Sequence, residues 1–159
     1  MAAASVEATS KALADFGPDL LNQTYFDKSA NKGKGAWLPR LQAAAGPHKS
    51  GDDPHIAGLA LDIILFAKET KEKDYAERIC AVFLALKDKM KFSSVIYNGS
   101  EWNGQGVKFP HIDEAHKTHI HIQWREAASG GTDFKSDLED ALETEFEATN
   151  IASGAWAQG

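Results

Sequence analysis

Residues 116–124 read HKTHIHIQW and contain three of the six histidines in this chain of 159 residues. In an extended segment, successive side chains point to opposite faces, so His119 and His121 share one face. The opposite face carries the apolar side chains of Ile120, Ile122 and Trp124. The stretch therefore predicts a strand with one face in the core and a histidine face that can form a site.

A second stretch, residues 53–64 (DPHIAGLALDII), has the same alternation. Its bulky residues Leu59, Leu61 and Ile63 alternate with small residues that lead to Asp62, which predicts a strand with a roomy polar face. If the two strands pair antiparallel with these faces aligned, His55, Asp62 and His121 can converge. Two imidazoles and one carboxylate with an open fourth position are typical of a catalytic zinc site.

The rest of the sequence predicts helices and a hairpin. Helical spacing of apolar residues predicts helices near 5–22 and over 71–91. Residues 92–98 predict a strand, and Asn98-Gly99 is a strong signal for a two-residue hairpin turn. Residues 104–114 are predicted as a loop that forms one wall of the cleft. We therefore expect the α+β class, with a small antiparallel sheet that carries the zinc site and packs against helices on one face.

The C-terminal part differs in composition from the rest. Residues 125–131 read as a linker, and the helix predicted after Thr132 has an apolar stripe at every fourth position, formed by Phe134, Leu138, Leu142 and Phe146. This helix either docks on the preceding part or meets a partner. We predict one domain over 1–128, with N-terminal helices and the zinc site, and an acidic helix and tail over 129–159.

Composition excludes several classes of protein. The net charge of −6 resides in residues 133–147, and no basic stripe suited to nucleic acid is present. No apolar run approaches the roughly 20 residues that span a bilayer. The N-terminal residues 1–11 lack the basic and apolar regions of a Sec signal peptide, so export by another route or release on lysis is expected.

The pattern H-x-x-G-x-A-x-D at 55–62, followed by H-x-x-H-x-H at 116–121, resembles a family of zinc peptidases. This family includes D-alanyl-D-alanine carboxypeptidases, penicillin-insensitive murein endopeptidases, lysostaphin-type enzymes and the hedgehog signalling domain. The resemblance covers about Trp37 to Trp124. It implies that His55, Asp62 and His121 bind zinc and that the substrate is the stem peptide of bacterial peptidoglycan, in the periplasm or at the cell wall.

The general base is expected among the remaining residues of the motif. Histidine suits proton transfer near neutral pH, and His119 is the first choice because it shares a strand face with His121. His116 would hold or share that proton, and Glu114 is the alternative base. The resemblance also suggests that Arg40 contacts the substrate or the developing oxyanion. Trp102 and His111 are candidate substrate-binding residues, because they lie in or beside the predicted cleft.

Several functions remain open at this level. The chain could be a D,D-carboxypeptidase or an endopeptidase, and it could serve as a lysis enzyme or as an antibacterial effector with an immunity or inhibitor protein as its partner. A catalytically inactive zinc module that binds peptide or cell wall is the main alternative. A non-haem iron oxygenase also uses two histidines and a carboxylate, but there the first pair is usually H-x-D. We expect a monomer.

Overall fold

The computed structural model describes residues 3–16 and 58–152. One sheet of five strands runs in the order β1-β5-β2-β3-β4, and every neighbouring pair is antiparallel. The predicted α+β class is confirmed. The elements in chain order are α1 (Ala4–Phe16), β1 (Ala60–Ile64), α2 (Thr70–Ala85), α3 (Lys87–Met90), β2 (Ser94–Tyr97), β3 (Gly99–Asn103), β4 (Lys108–His111), a 3-10 turn (Ala115–Lys117), β5 (His119–Gln123), a second 3-10 turn (Glu126–Ala128) and α4 (Lys135–Ala152).

The register of β1 on β5 sets which side chains share a face of the sheet. Asp62 pairs with His121, and Leu61 pairs with Ile122. Directly opposed residues in an antiparallel pair project to the same side, so the apolar and polar faces of the two strands coincide as the sequence predicted. Leu61 and Ile122 are fully buried. The histidine face therefore lies on the side of the sheet away from the main core.

The helix predicted over 71–91 is observed as α2 followed directly by α3. Its stripe packs on the apolar face of the sheet, in one cluster with the side chains of β1, β2 and β5. The stripe consists of Tyr75, Ile79, Val82, Phe83, Leu86 and Met90, of which Leu86 is partly buried. Trp124 closes the cluster beyond β5, where its indole Nε1 donates to the Met90 carbonyl oxygen at 2.8 Å.

The hairpin between β2 and β3 has the turn that the sequence predicted. Tyr97 pairs with Ser100, which leaves Asn98 and Gly99 as the two turn residues. Their φ angles are 47° and 87°. Positive φ at both central positions is the requirement of a type I′ turn, which matches the twist of the flanking strands.

The predicted N-terminal helix is observed over Ala4–Phe16, and the rest of that prediction lies outside the described residues. The acidic C-terminal helix docks on the preceding part of the chain, since α4 contacts both α1 and α2. Its apolar stripe is buried in the same cluster as the sheet and α2. Within residues 3–16 and 58–152, no helix has the length and apolar content needed to cross a bilayer.

Two local predictions were wrong. The segment 104–114 was predicted as loop, yet Lys108–His111 forms the edge strand β4 on β3. This strand has no apolar alternation and contains Pro110, which an edge strand tolerates because one row of its backbone groups is unpaired. His116 was predicted on the histidine strand, but it lies in the 3-10 turn that precedes β5.

Candidate metal centre

The site begins with a carboxylate and an imidazole on adjacent strands. Asp62 and His121 are direct partners in the β1–β5 register, and Asp62 Oδ1 lies 3.2 Å from His121 Nδ1. Both residues are buried, with 3% and 7% of their surfaces exposed. The other ring nitrogen of His121, Nε2, lies 2.6 Å from Gln123 Oε1. Buried polar groups of this kind persist only where partners compensate for lost solvation.

His119 lies beside this pair on the same face. Its Nε2 is 3.6 Å from Asp62 Oδ1, and its Nδ1 is 3.0 Å from the Thr118 hydroxyl. That hydroxyl donates its proton to the Ala115 carbonyl, so it accepts from the His119 Nδ1–H. The arrangement places the proton of a neutral ring on Nδ1. His119 Nε2 then keeps its lone pair, which can bind a metal or accept a proton.

A second group of donor atoms lies at the end of β4 and in the turn before β5. Ligand atoms of His111, Asp113 and His116 all lie within 4.8 Å of one another, close enough to hold one metal ion. Asp113 Oδ2 is 3.0 Å from His111 Nε2 and 2.7 Å from His116 Nδ1. Asp113 Oδ1 also accepts the backbone N–H of His116 at 2.8 Å. These contacts fix the carboxylate between two imidazoles.

The two groups meet at the His116 ring. Its centroid lies 5.0 Å from that of His119, 5.5 Å from that of His121 and 5.1 Å from that of His111. The N–H of Asn98 in the hairpin turn donates to the His116 carbonyl at 2.7 Å, which anchors the backbone of this residue. Four histidines and two aspartates therefore form one continuous polar surface.

A third carboxylate, that of Glu101, contacts this surface at His111. Glu101 on β3 lies opposite Ile96, which itself pairs with His121, so Glu101 projects on the histidine face. Its Oε1 is 2.8 Å from His111 Nδ1, and its Oε2 accepts the Ser94 hydroxyl at 2.8 Å. The contacts orient the His111 ring so that Nε2 points to Asp113.

The electrostatic environment favours an ionised Asp113 next to a neutral His116. Burial would raise the pKa of Asp113, but hydrogen bonds from the backbone and ring of His116 and from the His111 ring hold that pKa below its ordinary value. Burial lowers the pKa of His116, and the neighbouring His121 and His111 add to this effect, which outweighs the opposite influence of Asp113. A neutral imidazole is the form that binds metals.

The predicted site residues fall into three groups. Asp62, His121, His119, His116 and His111 are brought together. His55 and Arg40 lie outside the described residues. Trp102 is not with the histidines: it pairs with the fully buried Val95, so its ring lies on the helix side of the sheet, where the Lys108 ammonium is 5.7 Å from the ring centroid.

Two members of the site were not predicted from the sequence. The alternative base, Glu114, lies apart from the site. Asp113 and Glu101 were not singled out, although the pair His111-Ile112-Asp113 has the H-x-D spacing that suits a shared metal. Glu101 had no signal, because its role depends on the register of β3. Glu114 is directed outward, with its side chain 90% exposed and paired with Lys117 at 3.1 Å.

Comparisons of the chain with models of protein families, with curated proteins and with solved structures each find no match. The donor set itself indicates what the surface can do. Imidazole nitrogen and carboxylate oxygen are ligands of Zn²⁺ and of other divalent transition metals. Residues with this chemistry are gathered here on one face of the sheet.

Proposed function

We propose that this protein is a zinc-dependent peptidase that hydrolyses amide bonds in the stem peptides of bacterial peptidoglycan. The observation that carries the proposal is the direct pairing of Asp62 with His121, with His119 next to both. The sequence pattern that resembles the zinc peptidases requires this convergence. It is formed by strands whose residues are 59 positions apart in the chain.

The spacing of the donor atoms fits a zinc ion. In a tetrahedral site with bonds of about 2.1 Å, two ligand atoms lie about 3.4 Å apart. Asp62 Oδ1 lies 3.2 Å from His121 Nδ1, close to this value. We assign Asp62 and His121 as ligands and His55 as the third, because the resemblance gives these roles to the matching positions.

His119 is assigned as the general base. When bound, zinc would polarise the scissile carbonyl and make a water molecule more acidic. The Thr118 hydroxyl holds the His119 proton on Nδ1, which leaves Nε2 to take a proton from that water. Proton transfer by a positioned side chain contributes about 10²–10⁴-fold to rate.

The choice of substrate rests on the resemblance together with the surroundings of the site. Phe109 pairs with Glu101 across the sheet and therefore lies on the histidine face, where 40% of its surface is exposed. Ile112, between His111 and Asp113, is 85% exposed. Two exposed apolar side chains beside a polar cluster suit a ligand with both apolar and amide groups, such as a peptide.

The proposal is tested by digesting purified muropeptides with the zinc-loaded protein and identifying products by mass spectrometry. We expect cleavage by the parent and by Lys117→Ala, a control at an exposed position in the same segment. His119→Ala should retain zinc and lose on the order of a hundredfold in turnover. His121→Ala should lose turnover together with the zinc ion held by Asp62, since the remaining ligands cannot fix that ion.

Each other outcome has a defined meaning. Zinc binding without any product from muropeptides overturns the peptidase and favours a zinc module that only binds. Loss of zinc in His119→Ala makes His119 a ligand, and the base must then be sought at His116, because Glu114 is directed away from the site. Full zinc content in Asp62→Ala would remove the proposed metal site itself.

A further inference from the structure

The group formed by His111, Asp113 and His116 has the features of a built metal site, separate from Asp62 and His121. Its three ligand atoms converge within 4.8 Å. They come from the end of β4, the following loop and the 3-10 turn. Two of the three residues are held by further bonds, His111 by Glu101 and His116 by the Asn98 amide.

The His111 ring lies between two carboxylates. Its Nδ1 lies 2.8 Å from Glu101 Oε1, and its Nε2 lies 3.0 Å from Asp113 Oδ2. A doubly protonated ring donates to both carboxylates, whereas a singly protonated ring donates one N–H and offers its other nitrogen as a metal ligand. With its Nδ1–H donated to Glu101, the ring would offer Nε2, next to Asp113 Oδ2, to a metal ion.

Glu101 then has the role that carboxylates commonly have behind metal-binding histidines. A ligating imidazole usually donates its second N–H to a carboxylate, which fixes the ring and increases its basicity. Glu101 is itself fixed by the Ser94 hydroxyl at 2.8 Å.

We propose that His111, Asp113 and His116 bind a second divalent transition-metal ion, adjacent to the site of Asp62 and His121. The centroid of the His116 ring lies 5.5 Å from that of the His121 ring, so the two sets of ligands are adjacent. Three carboxylates, on Asp62, Glu101 and Asp113, offset the added positive charge. Two histidines and one carboxylate suit both Zn²⁺ and Fe²⁺, so the shared chemistry is that of a borderline divalent cation.

The test is the metal stoichiometry of the metal-free chain, titrated with Zn²⁺ alone and, in a parallel anaerobic arm, with Fe²⁺ alone. Bound metal is measured after dialysis, and circular dichroism checks that each variant is folded. We expect two equivalents in the parent and in Asp88→Asn, a control at a carboxylate whose side chain is 89% exposed. Asp113→Asn and His111→Gln should each bind one equivalent, as should Asp62→Asn.

The substitution Glu101→Gln tests the role of this carboxylate by its effect on metal affinity. Loss of the carboxylate behind a ligating histidine typically lowers metal affinity by about 10–100-fold. We expect that decrease in the affinity of one equivalent only, with the other unchanged. Equal affinities in Glu101→Gln and the parent would overturn the role of Glu101 behind the metal.

The remaining outcomes overturn the second site in distinguishable ways. One equivalent in the parent that persists in Asp113→Asn means that only the site at Asp62 exists. One equivalent that is lost in both Asp113→Asn and Asp62→Asn means that a single ion is shared by the two groups. Neither result depends on hydrolysis, so the peptidase proposal stands or falls by its own experiment.

Discussion

Cys80 shows how burial controls the chemistry of a single residue. It lies in α2 with 3% of its surface exposed, within the hydrophobic cluster. Burial raises the pKa of its thiol well above the ordinary value, and the charge of Glu77 adds to this effect. The thiolate is the nucleophilic form, so the folded protein should keep this thiol inert.

We therefore predict that Cys80 in the folded protein reacts with an aromatic disulfide reagent at pH 8 on the order of a hundredfold more slowly than in the unfolded chain. The reaction is followed by absorbance, and the guanidinium-unfolded protein is the control. A folded protein that reacts at the rate of a free thiol would contradict the observed packing of α2.

At the scale of elements, the turn of the β2–β3 hairpin contacts the segment that carries His116. Gly99 has a φ of 87°, and a Cβ built there would meet no atom within 4 Å. Any loss of stability caused by a side chain at this position therefore comes from the backbone conformation alone. The same turn supplies the Asn98 amide that holds His116.

Gly99→Ala should accordingly lower the free energy of unfolding by about 1–2 kcal/mol, the cost of a left-handed conformation for a residue with a Cβ. Gly130→Ala is the matched control, since a Cβ there also meets nothing within 4 Å and the φ is not in the left-handed region. Both are measured by urea denaturation. An equal effect of the two substitutions would argue against a type I′ turn.

On the scale of the whole molecule, α4 shares the core of the sheet. Phe134, Leu138, Leu142 and Phe146 are buried together with residues of α1, α2 and β5. Contacts of Arg78 in α2 reinforce this packing. Its Nε lies 3.2 Å from Glu145 Oε1, and its Cζ lies 4.9 Å from the centroid of the Phe146 ring. The acidic helix thus has its apolar side inside the protein.

Leu142→Ala should destabilise the protein by about 2–5 kcal/mol, because it leaves a cavity at a fully buried position. Glu143→Ala, at the neighbouring exposed position, should change stability by no more than about 0.5 kcal/mol. Chemical denaturation measures both. We expect deletion of residues 129–159 to be more severe still; a stable, metal-binding chain of 1–128 would instead show that α4 is an appendage.

The local elements could be predicted from the sequence because their signals are periodic. Alternation around Asp62 and His121 identified two strands, and apolar spacing identified α2. Asn98-Gly99 identified the hairpin, since few dipeptides accept positive φ at both positions. The convergence of Asp62 and His121 was predicted on the condition of antiparallel pairing, because both side chains had to avoid the apolar face.

Only the tertiary structure decided how distant segments meet. The strand β4 exists through its pairing with β3, and this pairing brings His111 beside Glu101. The same register turns Trp102 toward the helices. Such contacts depend on strand register and packing between residues far apart in the chain, and no local period encodes them. The sequence by itself determined the face of the sheet on which Asp62, His119 and His121 lie, because alternation along a strand is local. The fold determined which side chains from other segments lie beside them.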